Sequence, residues 1–194
     1  GSGLDSLAGL NTDGKWNFNI LPDFNTYLSS RTLYFAGLEI FNAGMGRDEF
    51  ILADGTKLNG IINGAGGTDV LNLAVYSTAC NIILTGLGDA DGFNGYVEGM
   101  AGSFININIL LGGIALDRLA GMNTDSSWNI SAVGAGTYVS GNTLSFSGVD
   151  ILVGGTGIDL LSYSAYPVAV QVNLSTESAT GFMSVYGMNN ITGS

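Results

Sequence analysis

Apolar and polar residues alternate in short runs along this chain, and glycines separate the runs. Val168, Val170, Val172 and Leu174 alternate with Ala169, Gln171 and Asn173, the period-two pattern of a strand buried on one face. Cys80, Ile82 and Leu84 form a second run of this kind, Trp16, Phe18 and Ile20 a third, and Leu38 with Ile40 a shorter one. Few stretches escape glycine for long enough to carry a helical stripe, so the pattern predicts an all-β chain of short strands and tight turns.

A longer pattern overlies the alternation. Ile40 and Asp48, Ile61 and Asp69, Ile109 and Asp117, and Ile151 and Asp159 all stand eight residues apart. An apolar residue follows each aspartate by two places: Phe50, Leu71, Leu119 and Leu161. The chain also matches itself over a long offset. Leu4-Asp5-Ser6-Leu7-Ala8-Gly9 aligns with Leu116-Asp117-Arg118-Leu119-Ala120-Gly121, Asn11-Thr12-Asp13 with Asn123-Thr124-Asp125, and Trp16-Asn17 with Trp128-Asn129. One residue of slippage later, Leu33-Tyr34-Phe35-Ala36-Gly37 aligns with Leu144-Ser145-Phe146-Ser147-Gly148. Residues 1–3 read as a cloning remnant and start, 4–115 as a first module, and 116–194 as a second, shorter one. The segment after Asp159 resembles the one after Asp69, which predicts that a 21-residue unit between Asp48 and Asp69 is missing from the second module.

Losing a whole unit is what a stack of coils tolerates, because each coil touches only its neighbours. The expectation is a parallel, right-handed β-helix forming one continuous solenoid, with coils of about 20–24 residues. A β-sandwich also yields short alternating strands, but it does not account for duplication with loss of a unit. Trp16 and Trp128, each in an apolar run, are expected in the core rather than exposed for sugar stacking.

Composition narrows the function. A net charge of −11 with only five Lys plus Arg argues against a nucleic-acid partner, which demands a cationic face. No apolar run reaches membrane-spanning length; the closest, residues 104–116, is broken by Asn106, Asn108 and two glycines, so no membrane insertion is expected of this segment. Cys80 is the single cysteine and has no internal partner. There is no histidine, which removes the commonest general base and every Ser-His or Cys-His pair. Asp89 and Asp91 are the nearest approach to paired carboxylates, in a loop-like Gly88-Asp89-Ala90-Asp91-Gly92. The chain is not expected to be an enzyme; a β-helix polysaccharide-degrading activity ranks third.

Gly154-Gly155-Thr156-Gly157-Ile158-Asp159-Leu160-Leu161 resembles the glycine-aspartate nonapeptide of RTX-type calcium-binding β-rolls. The turns before Asp48, Asp69 and Asp117 keep only part of it. The wider order, Trp128-Asn129-Ile130-Ser131, then 144–159, then 160–174, resembles the repeats of giant bacterial surface proteins, the filamentous haemagglutinin-like or RTX-like adhesins. Phe50-Ile51-Leu52-Ala53-Asp54-Gly55 and Gly187-Met188-Asn189-Asn190-Ile191 fit the same repeat. The resemblance implies a secreted or cell-surface stalk segment serving display or cell contact. Its partners would be neighbouring repeats of the same parent chain, and cell-surface carbohydrate or another cell. The alternative is a carbohydrate-binding or calcium-binding RTX-type module, for which Tyr27, Tyr76, Tyr138 and Tyr166 are the aromatic candidates.

Calcium takes six to eight oxygen ligands, and a lone turn aspartate falls short of that. Asp48 and Asp69, one coil apart, are the pair placed to share an ion, with the carbonyls of Gly46 and Gly66 completing the site. The competing role is turn capping, each aspartate accepting backbone N–H groups. Asp117 and Asp159 are expected to serve structure only.

Overall fold

The computed structural model describes residues 3–21, 25–100 and 102–194. The chain is all-β, with no helix among the described residues. The strands are β1 (Ser6–Ala8), β2 (Gly14–Phe18), β3 (Asn25–Leu28), β4 (Thr32–Phe35), β5 (Ile40–Asn42), β6 (Asp48–Leu52), β7 (Ile61–Asn63), β8 (Val70–Asn72), β9 (Asn81–Leu87), β10 (Phe93–Val97) and β11 (Ser103–Ile107). There follow β12 (Ile109–Leu111), β13 (Arg118–Ala120), β14 (Ser126–Ala132), β15 (Ala135–Ser140), β16 (Asn142–Ser147), β17 (Ile151–Val153), β18 (Asp159–Ser162), β19 (Val172–Asn173), β20 (Ser178–Ala179), β21 (Ser184–Tyr186) and β22 (Asn190–Thr192).

Two large sheets take up nearly all of them. The first has nine strands in the order β1-β5-β7-β11-β10-β9-β13-β17-β21, the second eleven in the order β22-β18-β14-β15-β16-β12-β8-β6-β2-β3-β4. The chain passes repeatedly from one sheet to the other, as in β5 to β6, β7 to β8 and β17 to β18. Apolar side chains meet between the sheets. Phe18 of the second lies 4.9 Å from Phe41 of the first, and Phe93 of the first lies 5.3 Å from Tyr138 of the second. Phe50, Leu71, Leu119 and Leu161 are at most 1% exposed, which places the residue two beyond each aspartate in this core.

Glycine is required where neighbouring corners touch. A Cβ on Gly44 would stand 2.0 Å from the Leu10 carbonyl oxygen, and one on Gly155 2.3 Å from that of Met122. Any side chain there would force adjacent corners apart and break the strand pairing beside them.

The two aligned stretches take equivalent places. β1 to β4 correspond to β13 to β16, and β2 pairs with β6 as β14 pairs with β18. Trp16 and Trp128 are fully buried and pack on Tyr27 and Tyr138 at 4.4 and 4.6 Å. The Leu10 N–H donates to the Tyr27 hydroxyl at 2.8 Å and the Met122 N–H to that of Tyr138 at 3.0 Å.

Four expectations change. The sheets are mixed rather than uniformly parallel, because three antiparallel meanders, β2-β3-β4, β9-β10-β11 and β14-β15-β16, interrupt the parallel ladders. Hairpins and the corners between the two sheets share the same glycine punctuation, and alternation does not reveal strand direction. The run from Val168 to Leu174 is no ladder strand: only Val172–Asn173 pairs, antiparallel with β20, and Leu174 is 47% exposed. The unit expected to be missing is present. Asp159 takes the place of Asp48 and Asn189 that of Asp69, the two standing 30 positions apart instead of 21. Lastly, the Ile109–Asp117 spacing crosses from the second sheet to the first, opposite in sense to the other three.

Candidate functional site

The motif aspartates close the corners at the starts of strands. Asp48, Asp69, Asp117 and Asp159 are all 0% exposed. In-register pairing sets Asp48 beside Asp69, since Glu49 faces Val70. Asp48 and Asp117 lie at different corners, because β6 belongs to the second sheet and β13 to the first.

Each corner is held by a rung-to-rung relay. The Asp48 N–H donates to Asp69 Oδ1 at 2.8 Å, and the Asp69 N–H to Asn108 Oδ1 at 2.8 Å. In the second repeat the Asp159 N–H donates to Asn189 Oδ1 at 2.8 Å. At the opposite corner the Asp117 N–H donates to Asp150 Oδ2 at 2.8 Å, while Asp117 Oδ1 accepts the Cys80 N–H at 2.7 Å. A second row runs alongside: the Arg47 N–H reaches Asp13 Oδ1 at 2.9 Å and the Ile158 N–H reaches Asp125 Oδ1 at 2.8 Å. The carboxylates also close their own turns, Asp48 Oδ2 accepting from the Gly44 N–H at 3.4 Å and Asp117 Oδ2 from the Gly113 N–H.

These carboxyl groups sit in a poor solvent for charge. Burial raises Asp48, Asp117 and Asp159 above the ordinary carboxylate range, against hydrogen bonds that pull the other way. Asp69 is pushed up to about 7, mainly by burial, with the charges of Asp48 and Asp91 adding to it. Two oxygens, Asp69 Oδ2 and Asp159 Oδ2, are buried without a hydrogen-bond partner.

The repeats also differ in the partner of one carboxylate oxygen. Asp48 Oδ1 accepts the Trp16 indole N–H at 3.2 Å. In the second repeat Ser126 replaces Gly14, and its hydroxyl donates to Asp159 Oδ1. The Trp128 indole N–H is left without a partner.

The donor set does not meet the demands of calcium. Both oxygens of Asp48 and one of Asp69 already accept hydrogen bonds, and among the described residues no group of three or more His, Cys, Asp or Glu converges. Gly46 packs against the backbone of Thr12 and Asp13, and the Gly66 N–H donates to the Gly44 carbonyl at 3.3 Å. Asp91 is committed as well, accepting from Gly67 N–H and Asn108 Nδ2, both at 3.1 Å, whereas Asp89 is exposed.

The tyrosines singled out for sugar contact are core residues: Tyr27, Tyr76, Tyr138 and Tyr166 are each at most 8% exposed. Tyr76 and Tyr163 donate inward, to the carbonyls of Thr56 and Thr180. A recess lies elsewhere, a groove of about 930 Å³ lined by Ile83, Tyr96, Arg118 and Val153 of the first sheet and by Thr124 and Ser140 beside it. Asn108, Asn189 and Asp150 complete the corner relays; sequence reasoning passed over the two asparagines because asparagine in a turn looks like any loop residue, and over Asp150 because it alternates with Val149 and Ile151 as the outward residue of a short strand. Asp13 and Asp125 were within reach, since they fall in the matched Asn-Thr-Asp triplets. No family model, no curated protein and no solved structure matches this chain.

Proposed function

We propose that this chain is a structural repeat segment, a stalk unit, of an extracellular adhesin-like protein, serving cell-surface display or cell contact. In this reading the coils form a solenoid with interpolated meanders, and neighbouring repeats of the parent chain are its first partners. One observation carries it: two sequence-matched repeats share one pair of continuous sheets, with β13 paired on β9 and β16 on β12. A unit that joins its own duplicate through backbone pairing is suited to further extension. The acidic, cation-poor surface suits an exported chain. The reading assigns no catalytic step.

Solution scattering from one, two and three tandem copies tests it. Length should rise in proportion to copy number at a constant cross-section. A compact particle whose cross-section widens with each copy overturns it. The groove beside Tyr96 and Arg118 favours a second reading, carbohydrate binding, since a tyrosine face with nearby hydroxyl and guanidinium donors suits sugar rings. A glycan array probed with the intact chain separates the two.

A further inference from the structure

The internal duplication gives two views of one surface, covered in one repeat and open in the other. In the second repeat β13 is covered by β9, with Leu119 against Ile82, and β16 by β12, with Phe146 against Leu110. The far end of the β9–β10 hairpin also sits over β15 and β16. Phe93 packs on Tyr138 at 5.3 Å, Asn142 Nδ2 donates to the Gly92 carbonyl at 2.7 Å, and a Cβ on Gly141 would lie 2.9 Å from Leu87.

Among the described residues the same surface of the first repeat has no such cover. β1 and β4 are the edge strands of their sheets at this end of the molecule. Leu33 is 46% exposed where its counterpart Leu144 is 1%, and Leu10 is 51% exposed where Met122 is 9%. Leu33 pairs with Tyr27 as Leu144 pairs with Tyr138, so its side chain belongs on the core-facing side. The second sheet runs two strands, β3 and β4, beyond β2, the strand that follows β1 in the chain, which leaves a step on which Leu33 is exposed beside its strand partner, the buried Tyr27. Arg31, exposed, stands where Asn142 reaches the hairpin, and the hairpin turn carries Asp89 and Asp91.

We infer that this step is the seat of a β9–β10-type hairpin from a preceding repeat on the same chain, with an aromatic residue at the Phe93 position packing on Tyr27 and Leu33. The inference rests on the repeat reading above and names the partner element. Among the described residues the opposite end of the molecule offers no counterpart to the long β9–β10 hairpin: β21 and β22 close the sheets as single strands, and the hairpin next to β21, β19–β20, has strands of only two residues each. Stacking a second copy end to end therefore leaves the step unfilled.

The test extends the full chain by placing a second copy of residues 1–115 ahead of residue 4, reproducing the junction that precedes Leu116. Leu33→Cys in the downstream copy reports on the step. Cys80 stays silent to a thiol reagent because it is buried and its thiol is pushed up to about 11. The single chain carrying Leu33→Cys should label rapidly; in the extended chain labelling should slow at least tenfold, and Phe93→Ala in the upstream copy should restore much of the rate. Equal rates in both proteins overturn the inference. So does protection of the single chain that grows with its concentration, because a second copy would then be filling the step. If Leu33→Cys does not fold, Arg31→Cys takes its place. Scattering from the same extended protein keeps the two ideas apart: a longer rod whose introduced thiol stays unprotected sinks the hairpin seat alone, whereas two unconnected bodies sink the repeat reading.

Discussion

Asp69 concentrates the tension of the corner relay in one side chain. Its Oδ1 satisfies a buried N–H, its Oδ2 satisfies nothing, and burial holds its pKa near 7. A carboxyl whose pKa is higher in the folded than in the unfolded state binds its proton more readily when folded. Its contribution to stability is therefore complete below the unfolded value near 4 and is lost as pH rises through about 7. The raised values of Asp48, Asp117 and Asp159 act in the same direction. Urea denaturation should show stability falling between mildly acidic and mildly alkaline pH. Asp69→Asn keeps the acceptor for the Asp48 N–H and removes the charge. It should flatten much of that slope and stabilise the protein at pH 8 by about 1–3 kcal/mol. A wild-type stability that does not change with pH would refute this account. Ser126→Ala removes the hydroxyl that donates to Asp159, and should cost about 1–3 kcal/mol, as expected for a buried acceptor left unpaired. Equilibrium unfolding at neutral pH measures it, and a change below half a kcal/mol would mean that Trp128 or water takes over the bond.

At the scale of the element, corners are set by how closely backbones approach. Gly46 and Gly66 occupy comparable turns, yet a Cβ on Gly46 would lie 2.5 Å from the Asp13 nitrogen, whereas one on Gly66 meets nothing nearer than Met45 Sδ at 3.5 Å. Gly46→Ala should destabilise by about 2–4 kcal/mol, in the range of overpacking with backbone displacement. Gly66→Ala should change stability by less than about 0.5 kcal/mol, like substitutions away from tight features. Thermal unfolding of the two variants side by side decides the matter, and equal losses would contradict the packing argument. The meanders act on the same scale. Each replaces one parallel rung by three strands, and the aromatic pairs Trp16–Tyr27 and Trp128–Tyr138 mark where two of them join the core.

For the molecule as a whole, hydrogen bonds within the protein close the corners. A ligand that binds only the folded state stabilises by RT ln(1 + [L]/Kd), so a working calcium site would raise Tm with calcium concentration. Neither millimolar calcium nor a chelator should move Tm by more than a degree or two, and the β signal in circular dichroism should survive chelation. Unfolding in chelator would return Asp48 and Asp69 to the role of ion ligands.

The all-β class, the long internal match and the burial of both tryptophans were legible in the residues, because alternation and glycine punctuation are local and self-similarity needs no structure to be seen. So was the stacking of Asp48 on Asp69, which their 21-residue spacing implies. Strand direction was not legible. Reversing β3, β10 and β15 depends on which edge is free to pair, and that is known only once the neighbouring strands are in place. The same holds for Asp117: the eight-residue spacing that links it to Ile109 is written identically to the others, yet tertiary pairing with Cys80 and Asp150 sets it at the opposite corner. Asn189 took the place of an aspartate because the corner needs only an acceptor for one N–H, a requirement that either residue meets and that appears only when two rungs are stacked.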